Sequence, residues 1–369
     1  LDPNLIDDII MGSAGLPHYF SRVLVFQADL PHSIAAVTVN RMCASALTAI
    51  ADGAHAISCN AADIIIAGGA ETMDRLGPVQ PEEAGQRGLS EASEVTVEAP
   101  PQKKRLPEGW KEAILIPPFF TKVEPWIFNM GLTAEKLAQV YGISRQDADA
   151  FALNSHRKAI AAQEAGKFDR EIIPITIHYK DGSSVTIERD QCPRVDTSLE
   201  KLAALRPSFK EDGLVTAGNS CPRNDGAGAV LLMSKEKAKE LGYKPLVTVR
   251  TSTVVGVDPT IMGIGPWPAT QKLLMRTGMS IDDFDLVEVN EAFACQVLLV
   301  MRELGIKEER LNVNGGAIAI GHPLGMTGAR LVGTIASEMI RRDVEWGLVT
   351  MCVGGGQGMA MALQREQYE

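Results

Sequence analysis

Two periodicities alternate along the chain. Residues 8–11, 36–39 and 63–67 are short apolar runs of strand length, the last ending in Gly68-Gly69, and 44–58 repeats small apolar residues at helical spacing. This strand, helix, strand order predicts an α/β architecture. Helical spacing returns over 133–141. It returns again after Ser144, where Asp147 three residues on completes a capping box and Gly166 supplies the stop. The runs 172–178 and 184–188 flank Asp181-Gly182, a hairpin turn. Further strands are expected at 226–234, 245–255, 286–289, 312–313 and 346–351.

The texture breaks from 77 to 126, which is rich in Pro, Glu, Lys and Gly with little periodicity. Residues 77–200 are therefore read as an insertion, a candidate lid. It divides a first half, 1–76 with 201–240, from a second half, 241–369. A faint repeat relates the halves. Cys43 follows the strand-end residue Gly12 by 31 positions, and His322 follows the strand-end residue Asn290 by 32. Such a duplication would place Cys43 and His322 on equivalent loops facing one interface.

Composition narrows the function classes. Of 369 residues, 45% are hydrophobic and 22% charged, an ordinary globular balance that needs no disulfide staples. The net charge of −10 argues against a nucleic-acid binder. The one tight basic cluster, Lys103-Lys104-Arg105, reads as a solvated loop. Six cysteines without a C-x-x-C pair point to free thiols and no metal site. No signal peptide and no apolar run of about 18 residues is present, so a cytoplasmic chain with no membrane span is expected. The chain opens at Leu1, and a segment before it is expected to have been removed.

Four motifs carry candidate chemistry. Cys43, in VNRMCASAL, lies between a strand and an alanine-rich helix, where helix N–H groups would favour a thiolate. NGGAIAIGHPLGMTGAR places His322 on a glycine-rich loop fixed by Pro323, a setting suited to a general base. His18, His32, His55, His156 and His178 read as ordinary surface or helix positions. MCVGGGQG puts Cys352 at a strand end before Gly354, whose N–H would suit an oxyanion hole. VNEAFA sets Asn290 directly after a strand, with Glu291 placed to orient a neighbour. Each motif also has a plain packing or capping explanation.

In their joint order these motifs resemble the thiolase family. AGGAETM at 67–73, MGLTAEKLA at 130–138, RPSF at 206–209, TAGNS at 216–220 and DPTIMGIGP at 258–266 extend the resemblance over nearly the whole chain. It implies a five-layered α-β-α-β-α fold of two duplicated halves with an inserted loop domain. It also implies reversible thiolytic cleavage of 3-ketoacyl-CoA. Cys43 would take the acyl group, His322 would activate it, and Cys352 would move the α-carbon proton. Asn290 would hold a water that with His322 makes one oxyanion hole, and the N–H groups of Cys43 and Gly354 the other. Arg194, Phe209, Ala217, Cys221, Met130 and Phe293 match positions that contact CoA or substrate. Coenzyme A would be a co-substrate, with no tightly bound cofactor. The resemblance further suggests a homodimer or homotetramer and a hydratase–dehydrogenase partner.

Three departures from the family pattern stand out. The first strand and an Arg-Thr-Pro segment, with about 45 residues before the nucleophile, are missing. Asn129 stands where the biosynthetic acetoacetyl-CoA branch has His. The family GNASG reads Gly218-Asn219-Ser220-Cys221-Pro222. The missing histidine, with VVGVDPTIMGIGP and GLVTMCVGGGQG, favours the degradative β-oxidation branch over the biosynthetic one. A decarboxylating ketoacyl synthase fits Cys352 poorly. A non-catalytic acyl-CoA or sterol binding protein is disfavoured because every catalytic position is filled.

Overall fold

The computed structural model describes residues 1–73, 129–179 and 181–365. The chain opens with β1 (Asp8–Gly12), α1 (Phe20–Gln27), β2 (Ala35–Val39), α2 (Ser45–Ser58) and β3 (Ile64–Glu71). Next come α3 (Met130–Tyr141), α4 (Arg145–Glu164), the hairpin β4 (Ile175–His178) and β5 (Ser184–Ile187), and the short α5 (Leu199–Ala203). β6 (Gly226–Met233) and α6 (Lys235–Glu240) close the first half. The second half comprises β7 (Thr248–Gly256), α7 (Pro266–Thr277), β8 (Leu286–Val289), α8 (Ala294–Leu304), α9 (Ala317–Ile320), α10 (Thr327–Arg342), β9 (Trp346–Val353) and β10 (Gln357–Gln364).

Two four-stranded sheets, ordered β2-β1-β3-β6 and β7-β10-β9-β8, form the frame. β1 runs parallel to β2 and β3, and β6 runs antiparallel to β3. The second sheet repeats the scheme: β8 is parallel to β9, and β10 is antiparallel to it. The alternating faces of each strand sort the apolar residues into layers. Ile10, Ile65, Val349, Met351 and Val353 point inward, onto α2 and α10 between the sheets. Ile9, Met11 and Ile64 point outward with α1, and Val287, Val289 and Leu348 with α7 and α8. The result is the expected α-β-α-β-α stack. β7 lies outside β10, whereas β6 has no outer neighbour among the described residues.

Local signals explain most element ends. Ser144 caps α4, its oxygen accepting from the Asp147 N–H, and Gly142, Gly278 and Gly305 end α3, α7 and α8 in the left-handed conformation. Gly182, at φ +86°, turns the exposed β4–β5 hairpin. One expected strand is absent. Residues 312–313 make only isolated bridges, because Asn312 turns at φ +41° and uses its side chain to tie Val289 instead. Much of the expected insertion, with Lys103-Lys104-Arg105, lies outside the described residues.

Candidate active site

α2 and α10 pack against each other at the centre of the stack. Gly328 makes the approach close: a Cβ there would come 2.3 Å from the Leu47 backbone nitrogen. The loops entering these two helices hold Cys43 and His322, so both side chains are carried to the same end of the central layer.

Cys43 follows a tight turn. Met42 is held at φ +47°, its N–H donates to Asn40 Oδ1 at 2.9 Å, and Ser45 Oγ donates to the Met42 carbonyl at 2.6 Å. The sulfur does not sit on the first turn of α2. It lies two residues before that helix begins and is 6% exposed. Its polar contacts are N–H groups, from Gly354 and from Cys43 itself.

The His322 ring is fixed at both nitrogens. Nδ1 lies 2.6 Å from Thr327 Oγ1, which donates to the Pro323 carbonyl at 2.8 Å. The threonine has one proton to give, so both contacts are satisfied only if Nδ1 carries a proton and donates. Nε2 is then the acceptor, facing Asn290 Nδ2 at 3.3 Å. Asn290 is wholly buried, and its Oδ1 has no protein partner. The backbone N–H of His322 donates to Asn224 Oδ1 at 2.8 Å. Glu291 braces the approach to this loop by accepting from Ser155 Oγ (2.6 Å), Asn312 Nδ2 (2.8 Å) and the Ile318 N–H (3.1 Å).

Cys352 is fully buried near the end of β9. Gly354, just beyond, is flanked by Met42 Cε and Met130 Sδ, each 3.6 Å from where a Cβ would stand. An apolar wall continues from there. Gly131 lies against the Phe209 ring, where a Cβ would come within 2.3 Å, and Phe209 meets Phe293 edge-on at 6.4 Å. Ser220 bridges Phe293, and the Cys221 N–H donates to the Ala292 carbonyl at 3.1 Å. Ala217 rides on a turn closed by the Thr216 N–H to Asn219 Oδ1 bond. Met130, Phe209, Phe293, Ala217 and Cys221 thus belong to one connected surface. Arg194 stands apart on the exposed side, where its N–H donates to His156 Nδ1 at 3.2 Å. His156 is the expected helix position, on α4, and it is buried under that segment rather than at the surface.

Burial sets the electrostatics. It pushes the Cys43 thiol up to about 11, against the N–H groups of Gly354 and Cys43, with Glu71 adding to the rise. The expected low-pKa thiolate is therefore corrected: desolvation outweighs the two donors. Burial pushes the His322 imidazole down to about 3, assisted by the Arg330 guanidinium. The Cys352 thiol is raised well above its ordinary value by burial, then by the neighbouring Cys43 and Cys221. At rest all three groups are neutral.

The N-terminal domain model of the thiolases matches residues 1–236, and the C-terminal domain model matches 243–365. The chain belongs to the thiolase family. It is similar to an acetyl-CoA acetyltransferase of Pseudomonas aeruginosa, at 44% identity over 99% of this chain and 89% of that one. Among solved structures it resembles the acetyl-CoA acetyltransferase of Bacillus anthracis, with TM-score 0.83 and 37% identity over 99% of this chain and 88% of that one. It also resembles human mitochondrial 3-ketoacyl-CoA thiolase, with TM-score 0.83 and 35% identity over 99% and 89%. As a thiolase, it is an acyltransferase whose relatives carry names from both the acetyl and the longer-chain activities.

Sequence reasoning missed several residues of this thiolase site. Thr327 and Asn224 hold the His322 ring and backbone, and Glu71 holds the loop beyond it. Thr327 lies five residues after His322 on the α10 side of one motif, a spacing that could have drawn attention to it. Asn224 and Glu71 are joined to the site only by the tertiary fold. Among the described residues no three His, Cys, Asp or Glu side chains gather as a metal site, and no helix is long and apolar enough to cross a membrane.

Proposed function

We propose that this thiolase cleaves 3-ketoacyl-CoA with CoA, and runs the reverse Claisen condensation, through an acyl group carried on Cys43. The observation that carries the reading is that the first turns of α2 and α10 meet at Leu47 and Gly328, so the loops entering them bring to one end of the central layer a buried Cys43 sulfur, facing the Gly354 N–H, and a His322 whose Nε2 is left as an acceptor. His322 Nε2 takes the thiol proton as sulfur attacks the C3 carbonyl. The C2–C3 bond then breaks, leaving the shortened acyl group on Cys43 and the enolate of acetyl-CoA. Cys352 gives that enolate its proton, and the acetyl-CoA leaves. CoA gives its thiol proton to the Cys352 thiolate and attacks the acyl-Cys43 thioester; the shortened acyl-CoA is released as the Cys43 sulfur leaves and takes its proton back from His322. Donors aimed at an oxyanion are each worth roughly 3–4 kcal/mol. The N–H groups of Cys43 and Gly354 are assigned to the acyl-enzyme oxygen, and His322 with an Asn290-held water to the thioester oxygen. Met130, Phe209, Ala217, Cys221 and Phe293 line the pantetheine and acyl path, and Arg194 meets CoA at its outer end.

The 3-ketoacyl-CoA reading is favoured over acetoacetyl-CoA alone because Asn129, in place of a histidine, is exposed and engaged in capping. Its Oδ1 accepts the Leu132 N–H at 3.3 Å, capping α3. The relatives named acetyl-CoA acetyltransferase favour the shorter-chain, biosynthetic reading. Comparison of kcat/KM for acetoacetyl-, 3-ketohexanoyl- and 3-ketooctanoyl-CoA decides between them. Each buried CH₂ adds roughly 0.8 kcal/mol, so an open tunnel gives up to a few-fold gain per carbon. Cleavage of acetoacetyl-CoA only would establish the biosynthetic alternative. A role in β-oxidation, a cytoplasmic homodimer or homotetramer, and a hydratase–dehydrogenase partner complete the proposal.

A further inference from the structure

Glu71 ends β3 deep in the interior, 3% exposed, and both its carboxylate oxygens reach other segments. Oε1 accepts from the Gly15 N–H at 2.9 Å and the Ser13 hydroxyl at 3.2 Å. Oε2 accepts from the Ala14 N–H at 2.7 Å and the Gly325 N–H at 2.9 Å. Residues 13–15 follow β1 in the first half. Gly325 stands three residues after His322 in the second. Contact there is too close for side chains. A Cβ at Gly325 would lie 2.5 Å from Ser13 Cα, and one at Gly69 would lie 2.0 Å from the Gly325 carbonyl oxygen.

The internal duplication shows that the fold does not require an acid at this point. β3 and β9 are eight-residue strands with matching partners, β6 and β10. In their matched registers Glu71 pairs with Gly226 as Val353 pairs with Gln357, so the counterpart of Glu71 is an apolar residue. A buried carboxylate has therefore been placed where the other half uses valine, and its four donors include one from the loop that carries His322.

We propose that Glu71 is a positioning residue for the thiolase reaction: its carboxylate ties the His322 loop, at Gly325, to the first half of the fold that presents Cys43. This rests on the reading of Cys43 and His322 given above. A displacement of about 1 Å in such a pair costs on the order of 100-fold in rate. A carboxylate suits the task because all four partners are donors. An amide would set its own NH₂ against one pair of them.

The test compares Glu71→Gln and Glu71→Asp with the parent enzyme by thiolysis kinetics and by the pH profile of Cys43 alkylation with iodoacetamide. Folded Glu71→Gln is expected to lose about 10–100-fold in kcat with KM changed less than about threefold. Its alkylation profile should move to lower pH, because the charge opposing Cys43 ionisation is gone. Glu71→Asp keeps the charge and shortens the reach, so kcat should fall with the alkylation profile unmoved. It serves as the deciding variant where Glu71→Gln does not fold. Parent-like kcat in either folded variant overturns the proposal. So does a parallel loss of kcat and rise in KM with Cys43 as reactive as in denaturant, which would mark a purely structural acid. An inactive parent enzyme would refute the thiolysis reading itself, and the alkylation profiles would then decide Glu71 alone.

Discussion

His322 Nδ1 and Thr327 Oγ1 lie 2.6 Å apart, and the same hydroxyl donates to the Pro323 carbonyl at 2.8 Å. The threonine therefore fixes which imidazole nitrogen holds the proton, and leaves Nε2 as the base. Thr327→Val removes the acceptor at nearly constant shape. It is expected to lower kcat by about 10–100-fold, a part of the ~10²–10⁴-fold that a general base supplies, since the base is misoriented rather than removed. Thr327→Ser should restore most of the rate. Steady-state thiolysis checks this, and a fully active Thr327→Val enzyme would show that the ring is held by other contacts.

The Cys43 thiol, pushed up to about 11 by burial, should alkylate slowly at neutral pH in the free enzyme. The rate with iodoacetamide is expected to rise about tenfold per pH unit beyond pH 9, with acetoacetyl-CoA protecting the site. A plateau reached near neutrality would mean that the free enzyme already holds a thiolate.

Acid stability follows from His322. Its folded value, near 3, lies below the ordinary 6.5, so the unfolded chain binds this proton more readily. The stabilisation is fully present above pH 6.5 and is lost as pH falls through about 3. Urea unfolding of the parent should therefore lose stability on the order of 1 kcal/mol per pH unit below 6.5, relative to His322→Asn. The difference cancels carboxyls such as Glu288, which burial raises to about 7. Parallel pH curves for the two proteins would contradict a buried, neutral imidazole.

Cys352→Ser tests the proton-transfer role. The variant should still accept an acetyl group on Cys43 from acetyl-CoA, yet fail to exchange the α-protons of acetyl-CoA with deuterium oxide. Exchange at the parent rate would move that role to another group.

The layered α/β frame was legible because its strands are short apolar runs with glycine close behind them: 8–11 and 346–351 fall within β1 and β9, and 63–67 overlaps the start of β3. The short segment at 312–313 misled because Asn312 satisfies the neighbouring strand with its side chain instead of joining the ladder. α1 went unread because FSRVLVFQ offers an apolar cluster without a cap; Tyr19 makes no side-chain capping bond. The candidate site was legible where its chemistry is local in sequence, at Cys43, His322 and Cys352. Glu71 reaches Gly325 across 254 positions, and only the folded chain brings them together. The raised Cys43 thiol was likewise out of reach, since a helix start can be seen in a sequence and the degree of desolvation cannot.

The central claim is that acyl transfer passes through Cys43. The direct measurement is peptide mass spectrometry after brief exposure of the parent enzyme to 3-ketooctanoyl-CoA without free CoA, beside Cys43→Ala. A hexanoyl group on the Cys43 peptide, with one acetyl-CoA released per acylated chain and none from the variant, is the expected result. Release of acetyl-CoA with Cys43 unmodified, or with the acyl group on Cys221 or Cys352, would contradict it.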